Sequence, residues 1–356
     1  MPKVSPKQRV QRIFEQVEGP DSLILANGVE PHLDASFFYV TGFPYGLFEN
    51  SFLVAERNGK ISLVTSPLEE PIARAHSSEI GVFAEPDKDS VRSRLASIAG
   101  NNLKLIALNS SELTYESFLE IRSSFKGSKL VDASQAFESA RLVKDESEIL
   151  LIKKACDIAS ATYGKIPSML SEGVTESSVA AEMAFDMQKA GASGVSFDSI
   201  VAFGKNSSEP HYAAGDARLR RGQFILCDYG AKYRRYCSDI TRTLIFGTAS
   251  KKQKEMYELI RRALELGTEL CTSENTGEFV HSKVAALIDS TEYKGRFIHS
   301  TGHSLGLSVH DGPGLSSRFK KKLKPGMVMT VEPGIYIPGL GGVRIEDDVL
   351  VTKGKP

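Results

Sequence analysis

The sequence predicts an α+β protein of two domains. In the first third, β-rich apolar runs alternate with helical stretches; after about residue 190, strands dominate and carry carboxylates where apolar residues belong. The length of 356 residues supports the same division, because chains beyond ~250–300 residues usually split into two hydrophobic cores. With 44 basic and 44 acidic residues the formal charge is zero, so no global field favours nucleic acid or an anionic membrane. At 41% hydrophobic and 25% charged residues the composition is that of a soluble globular protein, and no run reaches the ~20 apolar residues of a membrane span. The N-terminal residues are polar and lack an apolar signal core, and Cys156, Cys227, Cys237 and Cys271 never form Cys-x-x-Cys. Reduced thiols in a cytoplasm are the expectation.

Residues 1–138 are expected to form a small α/β domain and 139–356 the second domain. A leader helix over Pro6–Val17 precedes strand-like runs at Ser22–Ala26, Phe37–Thr41, Ser51–Ala55 and Ile61–Thr65. Helices follow at Glu69–Ala75, Asp89–Ala99 and Tyr115–Ser124, with strands at Leu103–Leu108 and Leu130–Val131. The boundary falls in Glu138–Asp145, where Asp145 and Glu148 have capping-box spacing. The helix so begun should bury Ile149, Ile152, Cys156 and Ala159, and a second helix spans Glu176–Ala190. Strands are then expected at Ser199–Ala202, Gln223–Tyr229, Ser238–Phe246, Met327–Val331 and Val343–Val351, with helices at Ala249–Leu270 and Gly277–Asp289, as an antiparallel sheet carrying helices. The basic run Arg318–Lys324 reads as a solvated loop before a strand, and the scattered aromatics offer no stacking platform for nucleic acid.

Two carboxylate pairs stand out. Asp228 and Asp239 interrupt apolar strands, and a reversal at Tyr233-Arg234 would face them across an antiparallel pair. Like charges so placed repel unless a cation lies between them. Glu332 and Glu346 repeat the pattern about the turn signal Pro338-Gly339. Between the hairpins lies a glycine-flanked set, His299, His303 and His310, one of which could complete a metal site. Four carboxylates and an imidazole carry a formal charge of −4, which two divalent cations would balance; an oxygen-rich set with one histidine suits Mn²⁺, Co²⁺ or Fe²⁺.

At these residues the sequence closely resembles the pita-bread metallopeptidases, the family of methionine aminopeptidase, aminopeptidase P and prolidase. The likeness runs from Arg141-Leu-Val-Lys-Asp-Glu-Ser-Glu-Ile through Asp228, Asp239, Gly302-His303, His310-Asp-Gly-Pro, Pro325-Gly-Met-Val and Glu332-Pro-Gly-Ile-Tyr to Arg344-Ile-Glu346. Phe38-Tyr-Val-Thr-Gly42-Phe is similar to the creatinase/prolidase-type N-terminal domain, which favours the Xaa-Pro branch. The resemblance implies a pita-bread catalytic domain behind a creatinase-type domain, with Asp228, Asp239, His303, Glu332 and Glu346 as ligands of two divalent cations. Mn²⁺ or Co²⁺ comes first, then Fe²⁺ or Zn²⁺. It further implies Glu332 as proton carrier, His310 as oxyanion donor, His211 in the catalytic site, His299 and Arg344 as substrate contacts, and Thr241 hydrogen-bonded to a ligand. The implied substrate is a small peptide with proline second, and the implied state is a cytoplasmic homodimer bound to neither nucleic acid nor membrane.

In two respects the sequence departs from the pattern. Some prolidases place an arginine four residues after the last histidine, where it can hold a dipeptide's carboxylate; here that residue is Gly314, with Arg318 the nearest substitute. Relatives also usually continue beyond Val351–Pro356. The leading expectation is therefore an Xaa-Pro dipeptidase, with aminopeptidase P as rival. A non-catalytic binding protein on this fold and a metal-free amidinohydrolase like creatinase are the further alternatives.

Overall fold

The computed structural model describes residues 4–99 and 103–354. The chain divides into two compact units, Met1–Arg141 and Leu142–Pro356. The first contains α1 (Pro6–Phe14), β1 (Ser22–Asn27), α2 (Ala35–Thr41), β2 (Ser51–Glu56), β3 (Ile61–Thr65), α3 (Glu70–His76), β4 (Gly81–Ala84), α4 (Lys88–Ala99), β5 (Leu105–Leu108), α5 (Tyr115–Ser124) and β6 (Lys129–Asp132). Its six strands form one mixed sheet in the order β4-β3-β2-β1-β5-β6. Leu95 and Ile98 of α4 and Ile121 of α5 pack on Ile24, Val54, Val64 and Ile106 of the sheet.

The run Phe37–Thr41 is a helix, not the strand its β-branched and aromatic residues predict. The local signals outweigh propensity: the Asp34 side chain caps the helix by accepting from Ser36 N–H, and Gly42 ends it at φ 63°. Because Ser36–Thr41 is buried throughout, the run carries no alternation that could mark it as helix or strand.

α6 (Ser134–Leu142) runs into the second unit, which continues with α7 (Glu146–Tyr163), α8 (Ile166–Met169), α9 (Glu176–Lys189), β7 (Gly194–Val195), β8 (Ile200–Phe203), β9 (Phe224–Tyr229), β10 (Ala231–Tyr233), β11 (Tyr236–Cys237) and β12 (Ile240–Ile245). There follow α10 (Lys251–Leu270), α11 (Gly277–Asp289), β13 (Val328–Val331), β14 (Gly334–Ile337), β15 (Gly341–Arg344) and β16 (Asp347–Leu350). Asp145 and Glu148 make the expected capping box at the start of α7. The buried stripe of α7 is Glu148, Ile152, Ala155, Ile158, Ala159 and Thr162, whereas Ile149 and Cys156 are only half-buried. The buried face thus lies one residue away from the expected one, because Glu148 turns inward to accept from Tyr236 Oη at 2.9 Å.

Every strand pairing in this unit is antiparallel. Helices α7 and α9 cover β8, β9 and β12 around one core, and α10 and α11 cover β13–β16 around another. This leaves the inward edges of the two hairpin systems to form the site. Among the described residues no helix is long and apolar enough to cross a membrane, and all four cysteines are free thiols.

Candidate metal centre and active site

The two hairpins present their carboxylates at breaks in the strand ladders. β14–β15 and β13–β16 share one register about the turn near Gly339, so Glu332 and Glu346 stand at facing positions in the gap between the ladders. The expected strand over Val343–Val351 is therefore two strands, broken at Ile345-Glu346. The other hairpin reverses at Arg234-Arg235, both at positive φ (46° and 75°), one residue beyond the expected turn. Asp228 consequently faces Thr241, and Asp239 lies before β12, opposite Gly230; the two aspartates are diagonal neighbours on one face and do not oppose each other.

Asp239, His303 and Glu346 bring one donor atom each within 4.8 Å of one another. His303 Nε2 lies 3.5 Å from Asp239 Oδ2 and 3.6 Å from Glu332 Oε1. The tautomer of His303 follows from its other nitrogen. Nδ1 is 3.2 Å from the Ser304 carbonyl, which can only accept, so Nδ1 carries the hydrogen and Nε2 presents a lone pair to the carboxylates. The backbone N–H of His303 donates to Thr330 Oγ1 at 2.9 Å, tying the histidine to β13. Thr241 Oγ1 donates to Glu346 Oε2 at 2.6 Å, and Thr330 Oγ1 donates to Glu332 Oε1 at 3.2 Å.

The donor set fits divalent cations. Asp228 Oδ1 and Asp239 Oδ1 are buried without a hydrogen-bond partner, an arrangement that costs free energy unless a cation is held there. Without one, burial and mutual repulsion with Glu346 and Asp228 push Asp239 well above the usual carboxylate range, and burial with Glu332 and Asp228 does the same to Glu346. Burial raises Glu332 to about 7 against the opposing pull of Arg344.

Arg344 is the one cation inside this cluster among the described residues, and it is 3% exposed. It donates to Asp228 Oδ2, to Thr241 Oγ1 at 3.1 Å, to Tyr336 Oη at 2.8 Å and to the Pro210 carbonyl at 3.4 Å. Its donors are thus engaged by the carboxylate cluster and its neighbours. His299 is similarly committed: Nδ1 donates to the Ser300 carbonyl at 2.8 Å, and Nε2 accepts from Tyr336 Oη at 2.9 Å. Both residues nevertheless line the cleft over the cluster.

A cleft of about 960 Å³ opens over this cluster, lined by His211, His299, His303, His310, Arg318 and Arg344 together with the carboxylates. His310 packs edge-to-face on His303 with ring centroids 4.2 Å apart, and burial together with His211 lowers its pKa, so it is a neutral N–H donor near pH 7. Phe297 and Ile298, the latter 64% exposed, form an apolar wall. Arg318 is exposed on the rim, without an ion-pair partner among the described residues. No side chain fits at Gly314, where a Cβ would lie 2.4 Å from the Gly302 carbonyl.

Two residues here escape the sequence reading. His281 of α11 lines the cleft, and its position beside the buried Val280 and Val284 on a predicted helix was the available signal. Asp348 Oδ2 accepts from Asp239 N–H at 3.0 Å and from the Cys156 thiol at 3.2 Å; its place two residues after Glu346, hence on the same strand face, was the signal missed.

The fold and donor set are those of a metallopeptidase, and the comparisons with known proteins agree. Residues 151–353 match the model of metallopeptidase family M24, and residues 7–143 match the creatinase/prolidase N-terminal domain. The chain belongs to metallopeptidase family M24. It is 41% identical over 238 residues to the Xaa-Pro dipeptidase of Pyrococcus furiosus, covering 67% of this chain and 68% of that one. Among solved structures, the Xaa-Pro dipeptidase from Bacillus anthracis superposes with a TM-score of 0.91 at 33% identity, covering 98% and 96% of the two chains. The X-Pro aminopeptidase from Thermotoga maritima gives 0.89 at 33% identity, covering 97% and 96%. Membership implies use of divalent metal, in keeping with the Asp239–His303–Glu346 group.

Proposed function

We propose that the protein is a dinuclear-metal Xaa-Pro dipeptidase, with Asp228, Asp239, His303, Glu332 and Glu346 holding the two cations. The observation that carries this reading is a buried cluster in which Asp239, His303 and Glu346 bring donor atoms within 4.8 Å of one another while Asp228 Oδ1 and Asp239 Oδ1 have no hydrogen-bond partner. When bound, two cations, Mn²⁺ or Co²⁺ by the character of the donors and otherwise Fe²⁺ or Zn²⁺, supply Lewis acidity and a water whose pKa is lowered to near neutrality.

The protein's own residues do the remaining work. Thr241 and Arg344 fix the ligand carboxylates from behind, so that few orientations must be sorted at the moment of reaction. Glu332, raised by burial, accepts a proton at its carboxylate and returns it to the leaving nitrogen. His310, neutral and free of hydrogen-bond partners among the described residues, donates its N–H to the developing oxyanion, with His211 beside it in the cleft. Phe297, Ile298 and the ring of His299 give a proline ring a wall to pack against. A proline nitrogen carries no hydrogen and its φ is fixed, so this packing replaces the backbone contact other peptidases use.

The Pyrococcus furiosus relative, an Xaa-Pro dipeptidase, supports the dipeptidase reading. One observation favours aminopeptidase P instead: position 314 admits no side chain, so only Arg318 is left to hold a dipeptide's carboxylate. Retention of the complete ligand set argues against a non-catalytic binding protein and a creatinase-like amidinohydrolase. We also propose a cytoplasmic homodimer, a location to which the four free thiols lend support. The test is to load the protein with Mn²⁺ or Co²⁺ and compare rates on a Xaa-Pro dipeptide and a Xaa-Pro tetrapeptide. Faster dipeptide cleavage is expected; a preference for the tetrapeptide moves the assignment to aminopeptidase P, and no cleavage of either rejects both.

A further inference from the structure

Lys144 and Asp311 form an ion pair at 3.6 Å with side chains only 1% and 2% exposed. Desolvation cancels most of what such a pair gains, so its value lies less in stability than in what it holds in place. Lys144 belongs to the Arg141–Ile149 segment that leads into α7; its N–H donates to the Gly326 carbonyl at 2.8 Å and its Nζ to the Leu142 carbonyl at 3.4 Å. Asp311 directly follows His310, and its N–H donates to the Ser304 carbonyl at 2.9 Å. Ser304 Oγ in turn donates to the Pro313 carbonyl at 2.6 Å. The turn is wrapped so closely over the pair that a Cβ at Gly306 would lie 2.0 Å from Asp311 Oδ2 and 3.0 Å from Lys144 Cε. The pair therefore anchors both arms of the turn from His303 to Pro313, whose geometry sets the His303 and His310 rings 4.2 Å apart.

We propose that Lys144 and Asp311 are positioning residues for the reaction: their buried ion pair, set behind the turn, fixes the aim of the His310 N–H. The inference rests on the reading of His310 as a substrate-facing donor. Removing the charge of Lys144 takes this counter-charge from the buried Asp311 carboxylate, the turn shifts to compensate, and His310 loses its aim. A misplacement of about 1 Å is enough to cost up to about 10²-fold in rate.

The experiment uses the full chain loaded with Mn²⁺ and a Xaa-Pro dipeptide, or the tetrapeptide if that is the better substrate. The variants are Lys144→Met, Lys144→Arg, the double replacement Lys144→Met/Asp311→Leu, which removes both charges of the pair if the single variant fails to fold, and His310→Ala alone and with each change. In the wild-type background Lys144→Met and the double replacement are expected to lower kcat by about 10- to 100-fold, with KM changed less than about threefold and metal content intact, while Lys144→Arg recovers most of the loss. In the His310→Ala background the same changes are expected to add less than about twofold, because they act through a group already removed. An equal loss in both backgrounds, or full kcat in Lys144→Met or the double replacement, overturns the inference. A His310→Ala enzyme with unchanged kcat would instead refute the underlying role of His310.

Discussion

Replacing Glu346 by Gln separates the proposed metal-holding role of this carboxylate from any structural one. In the metal-free protein Glu346 is 2% exposed, and burial with Glu332 and Asp228 nearby holds its pKa well above the usual range. Burial therefore favours its protonated form in the metal-free protein, and the amide of glutamine imitates that form while still accepting from Thr241 Oγ1. The metal-free variant should unfold at the wild-type temperature or slightly above it. With cation the two diverge, since a neutral amide cannot bridge two cations as a carboxylate does. At a free Mn²⁺ concentration of about 100 times Kd, binding stabilises the wild type by about 2.7 kcal/mol, roughly 5–11 °C for a domain of this size. A hundredfold loss of affinity leaves the variant about 0.4 kcal/mol, or about 1–2 °C, at the same concentration. Scanning calorimetry with and without Mn²⁺, beside a peptidase assay, reads both quantities. A variant that keeps the full metal-induced rise and near-normal turnover would refute the ligand role, and a metal-free variant that melts several degrees lower would refute the electrostatic reasoning.

His310→Ala should lower kcat by about 10²–10³-fold, the worth of one oxyanion donor, with metal content measured as intact; loss of metal would make His310 a ligand. Arg318→Ala should slow Xaa-Pro dipeptides by about 10- to 150-fold in kcat/KM, the value of a charge-assisted contact of about 1.5–3 kcal/mol, and spare tetrapeptides; equal effects on both would remove Arg318 from carboxylate recognition. Because the metal-free carboxylates hold protons that a cation must displace, Mn²⁺ affinity should rise with pH through about 7, and calorimetry in buffers of different ionisation enthalpy should show proton release. The sign for folding is opposite: these raised pKa values stabilise the metal-free fold at low pH, and that contribution fades as pH climbs through about 7, so a metal-free melting temperature that rises over this range would contradict the cluster's electrostatics. Sedimentation at micromolar concentration should find a homodimer, and a monomer would refute that proposal.

The hairpin of Glu332 and Glu346 was legible because Pro338-Gly339 is a strong turn signal, and its midpoint fixes the register on both sides. The hairpin of Asp228 and Asp239 was legible only in part. Its two-residue turn uses Arg234-Arg235 at positive φ, where Asn or Gly is the usual occupant, so the sequence offered no marker for the one-residue shift that sets Asp228 against Thr241. α2 was misread because its all-buried run lacks periodicity, although Asp34 and Gly42, the caps that decide it, were visible. The commitments of Arg344 and His299 arise from residues far apart in sequence, Pro210, Asp228, Thr241 and Tyr336, and no local pattern encodes them. Nor does the sequence alone reveal that the backbone at Gly314 passes too close to Gly302 for any side chain.

The central claim, a pair of cations held by this cluster and required for peptide cleavage, is tested most directly by counting. The protein is stripped with chelator and titrated with Mn²⁺, with bound metal measured by mass spectrometry at each step beside hydrolysis of a Xaa-Pro peptide. The account predicts saturation at two ions per chain, with hydrolysis absent at zero and rising as the sites fill. Full turnover in the metal-free protein, or saturation without any ion lost on replacing Asp239 and Glu346, would contradict it.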